Sequence, residues 1–207
     1  HAATMFSEGG TAYKINKKYG IPYHVAIRGA DAITYSQKMP HLWYLANKTL
    51  GNAGAVSCVT PSIKDKMLSY WQYKPSREKI EKAHIINNGV DNIWIDNLNI
   101  APKQIGRPIK ILYIGRFDTN KNVLSLINAV KEVRQNYDVS LTLIGGNGEE
   151  HKDVLREVEG NKSFIQYLGP IYDKEQLMRI VRSCDFFAMV SHSETFGLVY
   201  AECLSQG

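Results

Sequence analysis

Cysteine is scarce in this sequence: Cys58, Cys184 and Cys203 are the only three, and each lies far from the others within an apolar pattern. An odd number of widely spaced cysteines argues against a disulfide framework and against a zinc cluster. Such usage is typical of a reducing compartment and predicts a cytoplasmic protein. Apolar runs are also short, and none approaches the roughly 18 residues of a membrane-spanning helix. We therefore expect any membrane association to be peripheral, at the inner face.

Long runs of like charge are missing as well. The 25 Lys and Arg residues exceed the 20 Asp and Glu residues, which gives a formal charge of +5 and a pI near 9.0. This excess favours anionic partners such as nucleotides or acidic lipids. The basic residues occur only in small groups, so we expect no nucleic-acid partner. No Asp-x-Asp pair and no His-Glu-x-x-His motif is present to hold a divalent ion. The sequence therefore predicts no metal and no cofactor.

Short apolar runs alternate with segments of helical periodicity along the whole chain, which predicts an α/β protein with parallel sheets. A polar, Asn-rich stretch, residues 92–108, interrupts the alternation and marks the predicted domain boundary. We predict two partial domains, residues 1–104 and 105–207. Both are expected to be truncated, because residue 1 is not Met and the last residues follow a helical pattern where a strand is expected. The predicted strands are 23–27, 55–60, 83–86, 109–114, 139–144, 164–168 and 186–190.

Helix signals are clear at two places. Apolar residues recur at helical spacing from Val123 to Val133, and again from Leu177 to Cys184, which predicts one buried face for each helix. Asp173 is the predicted N-cap of the second helix.

Two cations follow the fourth predicted strand, in the segment Gly115–Lys121. Ligands of open α/β sheets bind beyond the carboxyl ends of the strands. Arg116 and Lys121 are therefore placed where a diphosphate would bind. The segment by itself leaves a second interpretation open, in which both side chains are solvated surface residues.

Two acids flank the last predicted helix, which we expect to begin near Thr195 or Phe196. The helix start offers backbone amides and the positive end of the helix dipole, a favourable place for a phosphate. Glu194 and Glu202 would then accept hydrogen bonds from sugar hydroxyls on either side, as a nucleotide sugar requires. The alternative is that Glu194 is a helix-start acid favoured by the dipole and Glu202 faces solvent.

The acids form an E-x7-E pattern, with Phe-Gly following the first acid closely. With three further motifs, this pattern resembles a GT4-type retaining glycosyltransferase, and the order and spacing match over nearly the whole chain. The other motifs are Gly115-Arg116…Lys121, Asn88-Gly89-Val90-Asp91 and Gly145-Gly146-Asn147-Gly148-Glu149.

The resemblance implies a GT-B fold of two Rossmann-like domains, with the donor nucleotide sugar held by the C-terminal domain and the acceptor by the N-terminal one. Because no Asp-x-Asp pair is present to hold a divalent ion, we expect the transfer to be metal-independent. Our hypothesis is transfer to a saccharide or lipid-linked acceptor in surface-polysaccharide biosynthesis. Arg116 and Lys121 would neutralise the diphosphate, Glu194 would contact the donor sugar, and Glu202 would bind the ribose. The remaining donor-site positions are Gly115, Thr195, Phe196, Gly197 and Leu198.

The sequence departs from the family at Arg28-Gly29-Ala30-Asp31, where many relatives carry His-Gly-x-Asp. Arg28 is a candidate for binding an anionic acceptor on the acceptor side, or it pairs with Asp31, which we favour. The family's N-terminal glycine-rich loop would precede His1, so we expect this chain alone to be inactive. A nucleotide-binding module without transferase activity remains the alternative.

Two further patterns are given no catalytic role. We expect the aromatic residues of the first domain to lie in its core rather than in an acceptor groove: Trp43, Tyr44, Trp71 and Tyr73. The Gly146–Gly148 segment does not continue as a dinucleotide fingerprint, because His151 occupies the third glycine position.

Overall fold

The computed structural model describes residues 1–207 and divides into two compact units, His1–Asn88 and Gly89–Gly207. All pairings in both sheets are parallel, which confirms the predicted α/β class. None of the helices is both long and apolar enough to cross a bilayer.

The first unit has a three-stranded sheet in the order β1-β2-β3. Its strands are β1 (His24–Ile27), β2 (Ala55–Cys58) and β3 (His84–Ile85). Its α-helices are α1 (Ser7–Tyr19), α2 (Ser36–Lys38), α3 (Trp43–Asn52), α4 (Pro61–Ser69) and α5 (Arg77–Glu81). A π-helix covers Ala30–Tyr35, and 3-10 helices cover Pro40–Leu42 and Trp71–Ser76.

Local sequence explains where α4 begins. Pro61 occupies its first turn, and the hydroxyl of Thr60 accepts a hydrogen bond from the amide of Ile63. Both features stabilise a helix N-terminus. The core of the unit lies between its sheet and helices and includes the fully buried Ile27, Leu50 and Met67.

The second unit has a four-stranded sheet in the order β6-β5-β4-β7. Its strands are β4 (Ile109–Gly115), β5 (Val139–Gly145), β6 (Ile165–Tyr167) and β7 (Phe186–Phe187). Its helices are α6 (Asn92–Asp96), α7 (Val123–Val133), α8 (His151–Gly160), α9 (Lys174–Ser183) and α10 (Leu198–Leu204). In order along the chain, the strands lie 3-2-1-4, as in the first part of a Rossmann sheet.

Side-chain alternation along β4 gives the second unit a hydrophobic core on each face of its sheet. Tyr113 packs with residues of α7 and α8, whereas Leu112 packs with residues of α6, α9 and α10. Successive residues of a strand point to opposite faces. The sheet is therefore covered by helices on both sides.

The predicted apolar stripe of α7 is buried at Val123, Leu126, Ile127 and Val130, but Val133 is 43% exposed because the helix ends there. Asp173 caps α9 as predicted, since its carboxylate accepts hydrogen bonds from the amides of Glu175 and Gln176. These local signals need no information from the rest of the fold.

Residues 89–104, placed with the first domain by the sequence prediction, belong to the second unit in the structure. Trp94 of α6 is 1% exposed and lies in the hydrophobic cluster with α9 and α10. Because the segment is polar overall, its composition does not indicate that the Trp94 side chain is buried. This side chain anchors the segment to the second unit.

The prediction of buried aromatics is correct for Tyr73, which is 1% exposed, and wrong for Tyr44 and Trp71, which are 74% and 77% exposed. Trp43 is half-buried. Apolar neighbours in sequence did not distinguish the inner from the outer face of these short helices. The last predicted strand is also too long, because only Phe186 and Phe187 pair with β4.

Candidate functional site

Two loops leave the same edge of the second unit's sheet. The cation loop, residues 115–122, follows β4, and the acid loop, residues 188–197, follows β7. Because β4 and β7 are parallel neighbours, with Leu112 opposite Phe187, their carboxyl ends lie side by side. This edge is where open α/β sheets bind ligands.

Asn120 joins the two loops. Its side-chain amide nitrogen donates to the carbonyl of Ser193 at 2.9 Å, and its side-chain oxygen accepts from the amide of Ser193 at 3.1 Å. Its backbone carbonyl accepts from the amide of His192 at 2.8 Å. Asn120 was not among the predicted site residues, because its only signal in the sequence is an amide side chain able to donate and accept.

Lys121 and Glu194 meet where the loops join. Lys121 Nζ lies 2.5 Å from Glu194 Oε2, and the side chains are 21% and 31% exposed. The other carboxylate oxygen, Oε1, accepts from the amide of Thr195 at 3.1 Å. The structure thus brings together a cation and an acid that stand 73 residues apart.

Arg116 lies at the same edge but takes no part in that ion pair. Its Nε lies 3.3 Å from Asp118 Oδ2, and its side chain is 69% exposed. Asp118 is held in turn, because its Oδ1 accepts from the amide of Lys121 at 3.0 Å. The Arg116 guanidinium is therefore accessible to an anion at the loop surface.

Tyr113 stabilises the cation loop through its hydroxyl group. Its hydroxyl donates to the carbonyl of Arg116 at 2.6 Å. Burial raises the pKa of this phenol, and the negative charges of Asp118, Glu150 and Glu194 raise it further. The hydroxyl therefore stays protonated and acts as a hydrogen-bond donor.

The glycine-rich loop, residues 145–148, packs against the cation loop through backbone atoms. All four of its residues have positive φ, and a Cβ on Gly145 would lie 2.0 Å from the carbonyl oxygen of Gly115. The amide of Phe117 donates to the carbonyl of Asn147 at 2.8 Å. The glycines allow this close approach, and so they fix the conformation of the cation loop.

Glu149 adds a side-chain contact between these loops. Its Oε1 accepts from the amide of Thr119 at 3.0 Å and from the hydroxyl of Thr119 at 2.7 Å. These hydrogen bonds lower the pKa of Glu149 to about 2. The contact therefore persists at any pH near neutrality.

The start of α10 differs from the prediction. The helix begins at Leu198, not near Thr195 or Phe196, so Phe196 lies in the acid loop. Gly197 takes a left-handed conformation with φ of +66°, and a Cβ there would lie 2.6 Å from the ring of Tyr200. This turn delays the helix, and a Cβ on Gly197 would lie 3.2 Å from Glu194 Cγ, so the first amides of α10 follow a residue next to Glu194. A helix start leaves such amides without intrahelical acceptors.

Glu202 lies half-buried on α10. Burial raises its pKa, the positive charge of Lys174 lowers it, and the negative charge of Asp91 raises it. Lys174 and Asp91 form an ion pair with each other. Lys174 was not among the predicted site residues, because no motif singles out a lysine at the start of α9.

The two candidates in the first unit do not form the favoured side-chain ion pair. The Arg28 guanidinium donates from Nε to the carbonyl of Ala3 at 2.8 Å and from Nη1 to Asn88 Oδ1 at 3.1 Å. Asp31 is 1% exposed and accepts instead from the backbone amides of Arg28 and Met5. Burial raises the pKa of Asp31, and these hydrogen bonds oppose the shift. The predicted ion pair between the side chains of Arg28 and Asp31 is therefore wrong, because backbone amides occupy the Asp31 carboxylate.

No group of three or more His, Cys, Asp or Glu side chains is placed to hold a metal ion.

Comparison with known proteins identifies the family. The sequence model described as "Glycosyl transferases group 1" matches residues 96–207, more than half of the chain. The chain belongs to the group 1 glycosyltransferase family. Its match includes both the cation loop and the acid loop.

Individual relatives agree with this assignment. An uncharacterized glycosyltransferase of Methanocaldococcus jannaschii is 26% identical over 203 residues, covering 98% of this chain and 52% of that protein. The alpha-monoglucosyldiacylglycerol synthase of Streptococcus pneumoniae is 26% identical over 229 residues, covering 100% and 49%. The group 1 glycosyltransferase chain thus spans about half the length of these curated relatives.

Solved structures establish the fold as GT-B. Anabaena HepE in complex with UDP superposes with a TM-score of 0.72 at 16% identity, covering 96% of this chain and 55% of that one. The lipopolysaccharide outer core galactosyltransferase WaaB gives a TM-score of 0.65 at 18% identity, covering 94% and 50%. The expected architecture of Rossmann-like domains is therefore confirmed.

Proposed function

We propose that the protein is a retaining glycosyltransferase of the GT4 type, which moves a sugar from a nucleoside-diphosphate sugar to a saccharide or lipid-linked acceptor in surface-polysaccharide biosynthesis. The observation that carries the proposal is the placement of Lys121, Arg116 and Glu194 at one sheet edge. Two cations suit a diphosphate, and an acid beside them suits the hydroxyls of the sugar attached to it.

In this proposal, Arg116 and Lys121 bind the diphosphate and stabilise the negative charge that grows as it leaves. Lys121 is paired with Glu194 before the donor binds. When the donor binds, Lys121 would exchange the Glu194 carboxylate for a phosphate oxygen. The Glu194 carboxylate is then free to accept hydrogen bonds from the donor sugar.

The rest of the donor site would come from backbone and ribose contacts. Gly115 ends β4 beside the diphosphate, and the backbone around Thr195, Phe196, Gly197 and Leu198 offers amide donors at the start of α10. Glu202, the fifth residue of that helix, would accept hydrogen bonds from the ribose hydroxyls. The proposed transfer uses no metal ion, because these cations and amides supply the positive charge.

Retention of configuration would follow from attack on the face from which the leaving group departs. The bond between the anomeric carbon and the phosphate oxygen breaks, and the acceptor hydroxyl forms a bond to that carbon on the same face. The hydroxyl proton passes to the departing phosphate oxygen. We assign no protein nucleophile to this step.

The donor can be identified by thermal unfolding with a panel of nucleoside diphosphates and their sugars. A ligand at about 100 times its dissociation constant stabilises the folded state by about 2.7 kcal/mol, which this assay detects. UDP is the first probe to use, because HepE is described in complex with UDP and with UDP-glucose.

Catalysis is then tested with Glu194→Ala and Arg116→Ala in the full-length protein. Each should lower sugar transfer by about 100-fold or more, as removal of one charge-stabilising group does in other enzymes. Unchanged thermal unfolding would show that the fold is intact.

Lys162→Ala is a matched control, because Lys162 lies between α8 and β6, at the opposite end of the strands. Wild-type transfer by either site variant would reject the role given to that residue. Donor binding without any transfer in the intact protein would favour a nucleotide-binding module.

A further inference from the structure

The positive charge of the protein is concentrated in the first unit. Residues 1–88 carry 12 Lys and Arg against 5 Asp and Glu, a formal charge of +7, whereas residues 89–207 carry 13 against 15. Within residues 32–77 there are six Lys and Arg and a single acid, Asp65. The exposed residues of this segment therefore favour anionic partners.

Exposed aromatic rings lie in the same part of the chain. Trp43 and Tyr44 begin α3, and Trp71 begins the 3-10 helix Trp71–Ser76. Tyr44 is 74% exposed and Trp71 is 77% exposed. The edge of one tryptophan packs against the face of the other, with the ring centroids of Trp43 and Trp71 5.4 Å apart.

Hydrogen bonds hold these two helices together. The side-chain nitrogen of Asn47 donates to the carbonyl of Gln72 at 2.9 Å, and the hydroxyl of Ser76 lies 2.7 Å from Asn47 Oδ1. The exposed rings are therefore presented from a fixed backbone. Their exposure follows from the fold and not from a loose loop.

Two lysines lie near the exposed aromatic rings. Lys48 Nζ lies 5.3 Å from the ring centroid of Tyr44, and Lys74 is exposed on the 3-10 helix that Trp71 begins. The acids that follow do not neutralise these lysines, because Glu78 and Glu81 pair with Lys82 and Arg77 of their own helical segment. Two aromatic rings and two lysines free of acidic partners thus share neighbouring positions.

We infer that Tyr44, Lys48, Trp71 and Lys74 form a surface that binds the face of an anionic phospholipid bilayer. Tryptophan and tyrosine favour the headgroup region, where the ring is in contact with apolar groups and its polar atom with water. Lysine side chains reach the phosphates from the same position. The inference names a surface for the peripheral membrane association expected from the sequence, and it rests on the proposed function only for the choice of a membrane as partner.

Vesicle binding tests the inference without any transferase assay. The full-length protein is sedimented with vesicles of phosphatidylcholine alone, or with a third of the lipid replaced by phosphatidylglycerol. We expect binding to the anionic vesicles only, and weaker binding as salt is added. Lys48→Gln combined with Lys74→Gln should weaken binding about thirtyfold, from roughly 1 kcal/mol per lysine near an anionic surface.

The aromatic pair is tested with Tyr44→Ser combined with Trp71→Ser, which should lower binding at least tenfold. Tyr137→Ser is the matched control, because Tyr137 is 63% exposed but lies in the second unit. The lysine variant and the Tyr137 variant should unfold at the wild-type temperature, since the replaced side chains are exposed. The Tyr44 and Trp71 variant should unfold close to it, because the ring contact between Trp43 and Trp71 is the main packing that it loses. UDP binding, measured separately, should be unchanged, so that loss of the donor site is distinguished from loss of the membrane surface.

Wild-type binding by both double variants, or equal binding to neutral vesicles, would overturn the inference. Displacement of the protein from vesicles by added RNA at low concentration would also overturn it, in favour of a nucleic-acid surface. Loss of binding in the lysine and aromatic variants, with the Tyr137 variant unaffected, would support it.

Discussion

The ion pair between Lys121 and Glu194 makes a specific prediction about nucleotide affinity. The lysine cannot bind a diphosphate fully while it is paired with the carboxylate, 2.5 Å away. Glu194→Gln removes this competition, so UDP should bind more tightly to the variant. A partly exposed pair of this kind contributes about 1 kcal/mol, which corresponds to an increase in affinity of about fivefold at most.

Lys121→Met should act in the opposite direction. It removes a charge-assisted hydrogen bond to the diphosphate, worth about 1.5–3 kcal/mol, so UDP affinity should fall by about 10- to 150-fold. The two residues of one ion pair are therefore expected to change affinity with opposite signs. A purely structural ion pair would give the same sign for both variants, because each would loosen the same loops.

Titration calorimetry with UDP at low ionic strength measures both effects before screening by salt reduces them. Glu159→Gln is the control, since Glu159 forms a similar 2.5 Å pair with Lys162 away from the site. Transfer by the full-length Glu194→Gln variant should still fall, because the donor sugar loses its carboxylate. Weaker UDP binding by Glu194→Gln, or unchanged binding by Lys121→Met, would refute the reasoning.

Three further predictions concern packing and pH. Gly145→Ala should destabilise the protein by about 1–3 kcal/mol and lower its thermal midpoint, because φ is +115° and a Cβ would lie 2.0 Å from a backbone oxygen. Gly160→Ala, where a Cβ meets nothing within 4 Å, should leave the midpoint unchanged or raise it. Trp94→Ala should cost about 3–5 kcal/mol in urea unfolding because the side chain is fully buried, and a loss below about 1 kcal/mol would contradict the anchoring role. UDP affinity should fall on acidification from a higher pH than an ordinary glutamate would give, because the pKa of Glu202 is raised and only the ionised carboxylate accepts from both ribose hydroxyls. Lys174→Met should move this loss of UDP affinity to still higher pH, since the positive charge of Lys174 lowers the pKa of Glu202. Glu202→Gln should abolish the part of the pH dependence that Glu202 causes. Calorimetry at a series of pH values measures UDP affinity for the wild type and both variants.

Much of the second unit could be predicted from local patterns. The apolar stripe of α7 and the cap at Asp173 depend on residues within a few positions of each other, so they follow from helical periodicity and hydrogen-bonding capacity alone. The location of the cation loop and the acid loop at one sheet edge followed from the alternation of strands and helices. Parallel strands place all their carboxyl ends on one side.

The pairing within the site could not be predicted in the same way. Lys121 pairs with Glu194 although Arg116 is also available in the cation loop, and the choice depends on the hydrogen bonds of Asn120 that set the position of the loops. The late start of α10 depends on the left-handed conformation of Gly197, next to the ring of Tyr200. Neither contact leaves a signal in the spacing of residues.

By itself, the sequence determined the α/β class, the edge of the sheet that carries the charged residues, and the chemical types gathered there. Composition and periodicity suffice for this because burial of apolar side chains and strand alternation are repeated along the chain. Only the tertiary structure decided which cation meets which acid, which aromatic rings face water, and that Trp94 joins residues 89–104 to the second unit. These outcomes depend on distances between segments far apart in sequence, and such distances are fixed only when the cores and backbone contacts on both sides have formed.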